Sequence, residues 1–283
     1  MNDRVRAQAL FLHANGFPTG VYRRFLSALG ESVNLHTLPI IQTPRQLEPA
    51  KRWPRMTDAV IHEARRIARQ HGPVCLIGHS MGGYLALLAG ARLANDMAGA
   101  VLIDSPLVTG WRSPLFILLK SLGLTKVGGP ARIAARRRDH WPSSDHARAH
   151  LADKPFIRRW APEVLNDFIT HGLTPESATP APTTPVTLAI ARHVERDIYA
   201  HLPARESLAA FRRLRQAGKP VFAVAGRFSR ETDLAGRESN RRMFGDRWIE
   251  LPAGHLVPME QPEACARAVI DCLGLCQDAA SPT

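Results

Sequence analysis

The segment Gly78-His79-Ser80-Met81-Gly82-Gly83 sets a serine among small residues. It follows the apolar run Val74–Ile77 and precedes the apolar stretch Tyr84–Leu93. A serine on a tight strand-to-helix turn needs small neighbours, because the backbone there is strained and crowded. Its hydroxyl is then presented at a helix N-terminus, where the dipole favours developing negative charge. The Gly-x-Ser-x-Gly spacing alone recurs by chance; the flanking strand and helix make it specific. Ser80 is therefore the candidate nucleophile.

A serine needs a base to take its proton. Of the twelve histidines, His255 is best placed. It lies in Ala253-Gly254-His255, directly after the strand candidate Trp248–Leu251. Ligands in open α/β sheets gather at the C-terminal ends of the strands, where this loop must lie. His79 is expected to point away from the turn, and His13 to hold the loop after the first strand.

The third group should be a carboxylate that orients the imidazole and stabilises its charged form. Asp104 ends the strand candidate Ala100–Ile103 and is preferred. Asp233 and Glu231, in the loop after the strand candidate Val221–Ala225, are the alternative. An oxyanion requires two preorganised N–H donors. One is expected from Met81, the other from the loop His13-Ala14-Asn15-Gly16-Phe17-Pro18, from Phe17 in preference to Asn15.

The elements around these residues alternate. Val5–Leu12 and Val33–Ile41 read as strands, with a helical pattern over Val21–Leu29 between them. Met56–Gln70 carries an apolar stripe at helical spacing and stops at Gly72-Pro73. Val74–Ile77 and Ala100–Ile103 are unbroken apolar runs, the mark of strands buried on both faces of a parallel sheet. The order is that of a doubly wound α/β fold with a mostly parallel sheet.

From about Leu107 to His201 the rhythm breaks into helices and loops without a convincing strand. Pro162 suits the first turn of a helix over Glu163–Thr170, and the proline-rich Thr174–Pro185 reads as an extended loop. The rhythm returns with helix Glu206–Ala217, strand Val221–Ala225, helix Glu238–Phe244, strand Trp248–Leu251 and helix Pro262–Leu273. The expected organisation is a core in two parts, 1–106 and 202–283, interrupted by a helical cap over 107–201.

Composition excludes several classes. The 283 residues are 45% hydrophobic and 22% charged, ordinary globular usage rather than that of a disordered chain. The longest apolar runs, Leu115–Leu119 and Leu85–Ala89, fall far short of the ~20 residues that span a bilayer. Ala9–Leu12 is too short for the apolar region of a signal peptide, so the chain is expected to be cytoplasmic. The net charge of +12 is nearly all arginine, and only five residues are lysine. The densest block, Arg136-Arg137-Arg138, lacks the interleaved aromatics of single-strand binders, and no nucleic-acid partner is expected. Cys75, Cys265, Cys272 and Cys276 have no CxxC spacing and read as small buried hydrophobes.

Together the His-Ala-Asn-Gly-Phe-Pro loop, Gly-His-Ser-Met-Gly-Gly and Ala-Gly-His-Leu-Val-Pro-Met-Glu-Gln-Pro resemble the α/β-hydrolase superfamily. They stand in family order and span nearly the whole chain. Residues 136–143 and 160–165 resemble its capped, lipase- and esterase-like subgroup. Two departures stand out. Ser229 occupies a place where the family often has an aspartate, which moves the acid role towards Asp104. One strand precedes the first loop where the family often has two.

The resemblance implies an α/β-hydrolase fold with a helical cap and a serine hydrolase that uses a Ser-His-Asp triad and an acyl-enzyme. The implied substrate is a small ester or acyl compound, with neither cofactor nor metal. Leu107, Trp111, Leu115, Phe116, Trp141, Phe156, Trp160 and Phe168 would supply apolar surface for the cap. The alternatives are a carbon–carbon bond hydrolase or cofactor-free oxygenase on the same fold, or a non-catalytic ligand-binding member.

Overall fold

In the computed structural model, residues 6–109, 129–179 and 181–280 are described. The first part of the chain runs β1 (Gln8–Leu12), α1 (Arg23–Gly30), β2 (Asn34–Thr37), α2 (Arg52–His71), β3 (Val74–His79), α3 (Met81–Leu93) and β4 (Met97–Ile103). After the middle segment come α8 (Ala204–Gln216), β8 (Val221–Gly226), α9 (Arg230–Ala235), α10 (Arg237–Phe244), β9 (Trp248–Leu251), α11 (Val257–Glu260) and α12 (Pro262–Ala280). Strands β1, β2, β3, β4, β8 and β9 form one sheet in the order β2-β1-β3-β4-β8-β9. Every neighbouring pair is parallel.

The apolar runs became central strands for the expected reason. Every residue of β1, β3 and β8 is buried, whereas the edge strands β2 and β9 are partly exposed. Side chains alternate between two core layers, as the pleat requires. Phe11, Ile77, Val101 and Val224 pack on the face that also holds Phe25 of α1 and Val269 of α12. Leu10, Leu76, Leu102 and Ala223 face the layer of α2, α3 and α8, with Val60, Leu85 and Leu214.

Strands β1 and β3 are neighbours, yet the chain leaves β1 for a helix on one face and leaves β3 for a helix on the other. The loops after them separate, which makes their C-terminal ends a topological switch point.

The middle segment contains α4 (Gly129–Arg136), β5 (His140–Trp141), α5 (Ser144–Ala152), α6 (Val164–His171), β6 (Leu173–Pro175), β7 (Val186–Leu188) and α7 (Arg192–Ala200). It corrects one expectation. A second sheet, antiparallel and ordered β5-β7-β6, lies where the sequence reads as helices and loops only. Part of the stretch read as an extended loop is in fact β6 and the link to β7, closed by the Glu176 N–H on the Pro185 carbonyl at 2.9 Å. Strands of two or three residues are too short for any alternation to register.

All four cysteines are free and buried. No helix among the described residues is long and apolar enough to cross a membrane.

Candidate active site

Ser80 sits between β3 and α3 with φ +52° and ψ −112°. A non-glycine residue reaches positive φ only when its surroundings enforce it. Here the crowding is visible at the glycines. A Cβ on Gly78 would lie 2.2 Å from the Gly82 carbonyl, and one on Gly82 would lie 2.0 Å from the Leu12 carbonyl oxygen. The Ser80 N–H donates to the Ile103 carbonyl at 3.0 Å, which anchors the turn to β4. Met81 is the first residue of α3, so its N–H belongs to the helix-terminal donors that have no partner within the helix.

His255 follows β9 and faces the serine. Its Nε2 is 3.0 Å from the Ser80 Oγ and its Nδ1 is 2.6 Å from the Asp104 Oδ2. Asp104, at the end of β4, has φ +39° and a side chain with no solvent exposure. The structure thus brings Ser80, His255 and Asp104 together. Glu231 and Asp233 are exposed, and Asp233 pairs with Arg237 at 2.6 Å.

The loop after β8 still contributes to the acid. The Ser229 hydroxyl donates to Asp104 Oδ2 at 2.6 Å, while the Gly226 N–H and the Thr232 hydroxyl donate to Oδ1 at 2.8 and 3.1 Å. Ser229 also caps α9, its Oγ accepting the Thr232 N–H at 3.2 Å. Sequence reasoning noticed Ser229 only as a missing aspartate and overlooked Thr232. The available signal was a serine three residues before a threonine at a helix start, a capping pattern with a spare hydroxyl.

Burial acts to lower the His255 pKa. The hydrogen bond and charge of Asp104 act against it, with Glu231 and Glu260 adding to the field, and the net direction is above the ordinary histidine value. The neighbouring His79 moves the other way. Burial, then the His255 charge, push it down to about 3, so it is neutral. Its Nε2 lies 2.9 Å from the His255 carbonyl and its Nδ1 lies 2.8 Å from the Tyr22 hydroxyl. Its side chain makes no hydrogen bond to Ser80 among the described interactions. His13 is also neutral, with its pKa lowered to about 4 by burial, and its Nε2 accepts the Ile41 N–H.

The loop after β1 carries the two N–H groups weighed for the oxyanion. The Phe17 N–H makes a turn contact with the Ala14 carbonyl at 3.2 Å. The Asn15 N–H has no partner among the described residues. Asn15 is held from its side chain, whose Nδ2 donates to the Glu195 carbonyl of α7 at 2.9 Å. Gly16, at φ +82°, leaves room for two side chains: a Cβ there would lie 3.1 Å from the Glu195 carboxylate and 3.2 Å from Arg137. Those two side chains form an ion pair at 2.8 Å.

The middle segment closes over these loops at several points. The Phe17 ring lies 5.8 Å from Phe168 and 6.2 Å from Trp160. The Ala161 N–H donates to the Met259 carbonyl at 2.8 Å, and Arg159 pairs with Glu260 at 2.9 Å. Leu107, Trp141 and Phe168 are at most 1% exposed, so they are core and not free pocket lining. Trp160 is buried and Phe156 exposed, while Trp111, Leu115 and Phe116 lie outside the described residues.

The sequence matches the alpha/beta hydrolase family over residues 9–268. No curated protein matches it. Among solved structures, the peroxisomal alpha-beta-hydrolase Lpx1 of Saccharomyces cerevisiae superposes with a TM-score of 0.71 at 17% identity, over 98% of this chain and 79% of that one. An E-2-(acetamidomethylene)succinate hydrolase gives 0.67 at 18% identity, over 95% and 91%. A thioesterase domain from the curacin biosynthetic pathway gives 0.68 at 15% identity, over 94% and 91%. At these identities the likeness is one of fold. With the family match over most of its length and the parallel sheet that carries the loops, this chain belongs to the α/β-hydrolase family.

Proposed function

We propose that this protein is a serine hydrolase of carboxylic esters, with Ser80, His255 and Asp104 as its catalytic triad. The observation that carries the reading is the continuous contact from Ser80 Oγ to His255 Nε2 at 3.0 Å and from His255 Nδ1 to Asp104 at 2.6 Å. In this mechanism Ser80 Oγ attacks the ester carbonyl while its proton passes to His255 Nε2. Asp104, acceptor-only as a carboxylate, takes the Nδ1–H bond and stabilises the imidazolium. The imidazolium then gives its proton to the departing alkoxide, leaving an acyl-enzyme. Water attacks the acyl carbon, its proton going to His255, which returns a proton to Ser80 Oγ as the acid leaves.

The Met81 N–H supplies one donor to the oxyanion. Phe17 supplies the second in this reading, with Asn15 as the alternative, whose N–H has no partner among the described residues and whose side chain is anchored on α7. Residues 107–201 act as the cap and residues 1–106 and 202–283 as the core. The contacts of Phe17, Ala161 and Arg159 support that division. The substrate is a small ester or acyl compound. The four free cysteines support a reducing compartment such as the cytoplasm.

The test is labelling with a fluorophosphonate, wild type beside Ser80→Ala, followed by hydrolysis of p-nitrophenyl esters of increasing chain length and of a diketone. Labelling that disappears in the variant, with ester turnover, supports the reading. Folded wild type that neither labels nor cleaves an ester overturns it, and cleavage of the diketone alone moves the assignment to carbon–carbon bond hydrolysis.

A further inference from the structure

Behind the proposed triad runs a buried polar chain with no part in the proton transfers above. The Ala14 N–H donates to the Tyr22 hydroxyl at 3.0 Å. That hydroxyl lies 2.8 Å from His79 Nδ1, and His79 Nε2 lies 2.9 Å from the His255 carbonyl oxygen. A carbonyl only accepts, so His79 Nε2 must carry the proton. In the neutral ring Nδ1 is then the acceptor, and the Tyr22 hydroxyl must donate to it. The hydroxyl's oxygen remains free to accept from Ala14. Each donor and acceptor therefore has one consistent assignment along the chain.

We infer that His79 and Tyr22 are positioning residues, a hydrogen-bonded strut that holds the loop bearing His255 at a set distance from the loop after β1.

The inference rests on the proposed roles of His255 and of that loop. Three observations favour a strut over the mere satisfaction of buried polar groups. The chain joins four separate pieces of structure: the loop after β1, the turn at Thr19–Tyr22, the end of β3 and the loop after β9. His79 is the residue before Ser80, so the strut is referenced to the nucleophile through one peptide bond. Its members are also rigidly held. His79 is fully buried, Tyr22 is 1% exposed, and the His79 ring lies 5.7 Å from Tyr22 and 5.4 Å from His255. The low His79 pKa keeps the ring neutral, which preserves the direction of every bond in the chain.

The experiment uses the full chain and the p-nitrophenyl ester that wild type turns over fastest, with turnover expressed per fluorophosphonate-labelled site. Tyr22→Phe keeps the ring and removes only the hydroxyl, so it is the variant most certain to fold. It should lower kcat about tenfold to a hundredfold, the range for a small misplacement of reacting groups, with KM within about twofold. His79→Phe should lose at least as much. His79→Gln should recover most of the activity, because an amide can donate to the carbonyl and accept from the hydroxyl together. The double variant Tyr22→Phe with His79→Phe should lose no more than the worse single one, since both break the same strut. The inference is overturned if kcat per labelled site stays within about twofold of wild type in both single variants, or if their losses multiply in the double variant. A wild type that neither labels nor turns over overturns the reading of the site itself, and the strut with it.

Discussion

Two loops were candidates to supply the acid of the proposed triad, the one after β4 and the one after β8. Both leave the sheet at its C-terminal end, because β4 and β8 are adjacent and parallel. The first contributes Asp104. The second contributes a peptide N–H and two hydroxyls, from Gly226, Ser229 and Thr232, all donating to Asp104. One loop thus carries the charge and the other solvates it in place of water. The Ser229 hydroxyl lies 2.6 Å from Asp104 Oδ2, so a carboxylate at position 229 would stand beside the one at 104. The partner loop then needs donors, not a second negative charge, which buried beside the first would be unfavourable.

The proposed triad makes this comparison breakable. The largest effect is expected for Asp104→Asn, which keeps the shape and removes the charge. Its kcat should fall about 10⁴-fold, as in other triads, with the fold intact by circular dichroism. If turnover survives at a tenth of wild type, the acid lies elsewhere. The next test transfers the charge. Adding Ser229→Asp to Asp104→Asn should restore part of the lost activity, about tenfold or more over the single variant. No gain would mean that the two loops are not interchangeable in the folded site.

Removing a donor is a smaller change. Ser229→Ala leaves Asp104 with three of its four partners and should lower kcat/KM about tenfold, with Thr232→Val milder. The pH profile measures the same contact from the other end. His255 must be neutral to accept the serine proton, and its pKa is raised. The acid limb of kcat/KM should therefore lie above the ordinary histidine value of about 6.5, and activity should be lost as the pH falls through it. Residual activity of Asp104→Asn should show that limb moved to lower pH; an unmoved limb would separate the raised value from Asp104. The smallest effect belongs to Asp233→Asn. This exposed residue is paired with Arg237 and makes no contact with His255 among the described interactions, so turnover should stay within about twofold.

Much of the core was readable from residue order. Val74–Ile77 and Val221–Ala225 are unbroken apolar runs, and such runs bury only in the middle of a sheet covered on both faces. Gly78, Gly82 and Gly83 around Ser80 anticipated the crowded turn, because no side chain fits there. The middle segment was far less readable. Its strands are two or three residues long, and they exist because Trp141, Leu173, Val186 and Leu188 find a shared core, not because of local pattern. The turn contact of the Phe17 N–H with the Ala14 carbonyl was not readable either. A loop's sequence does not show which of its N–H groups turns back on its own carbonyls.

Taken alone, the sequence determined the alternation of strands and helices, the strained turn at Ser80 and the positions of His255 and Asp104 at strand ends. These follow from burial periodicity and steric room, which are local. Tertiary structure alone decided which carboxylate reaches His255, that Ser229 and Thr232 donate to it, and that His79 and Tyr22 bridge two loops. Each of those depends on a hydrogen bond between segments far apart in the chain. Its partner is set by how β1, β3, β4, β8 and β9 stand side by side, not by any spacing along the sequence.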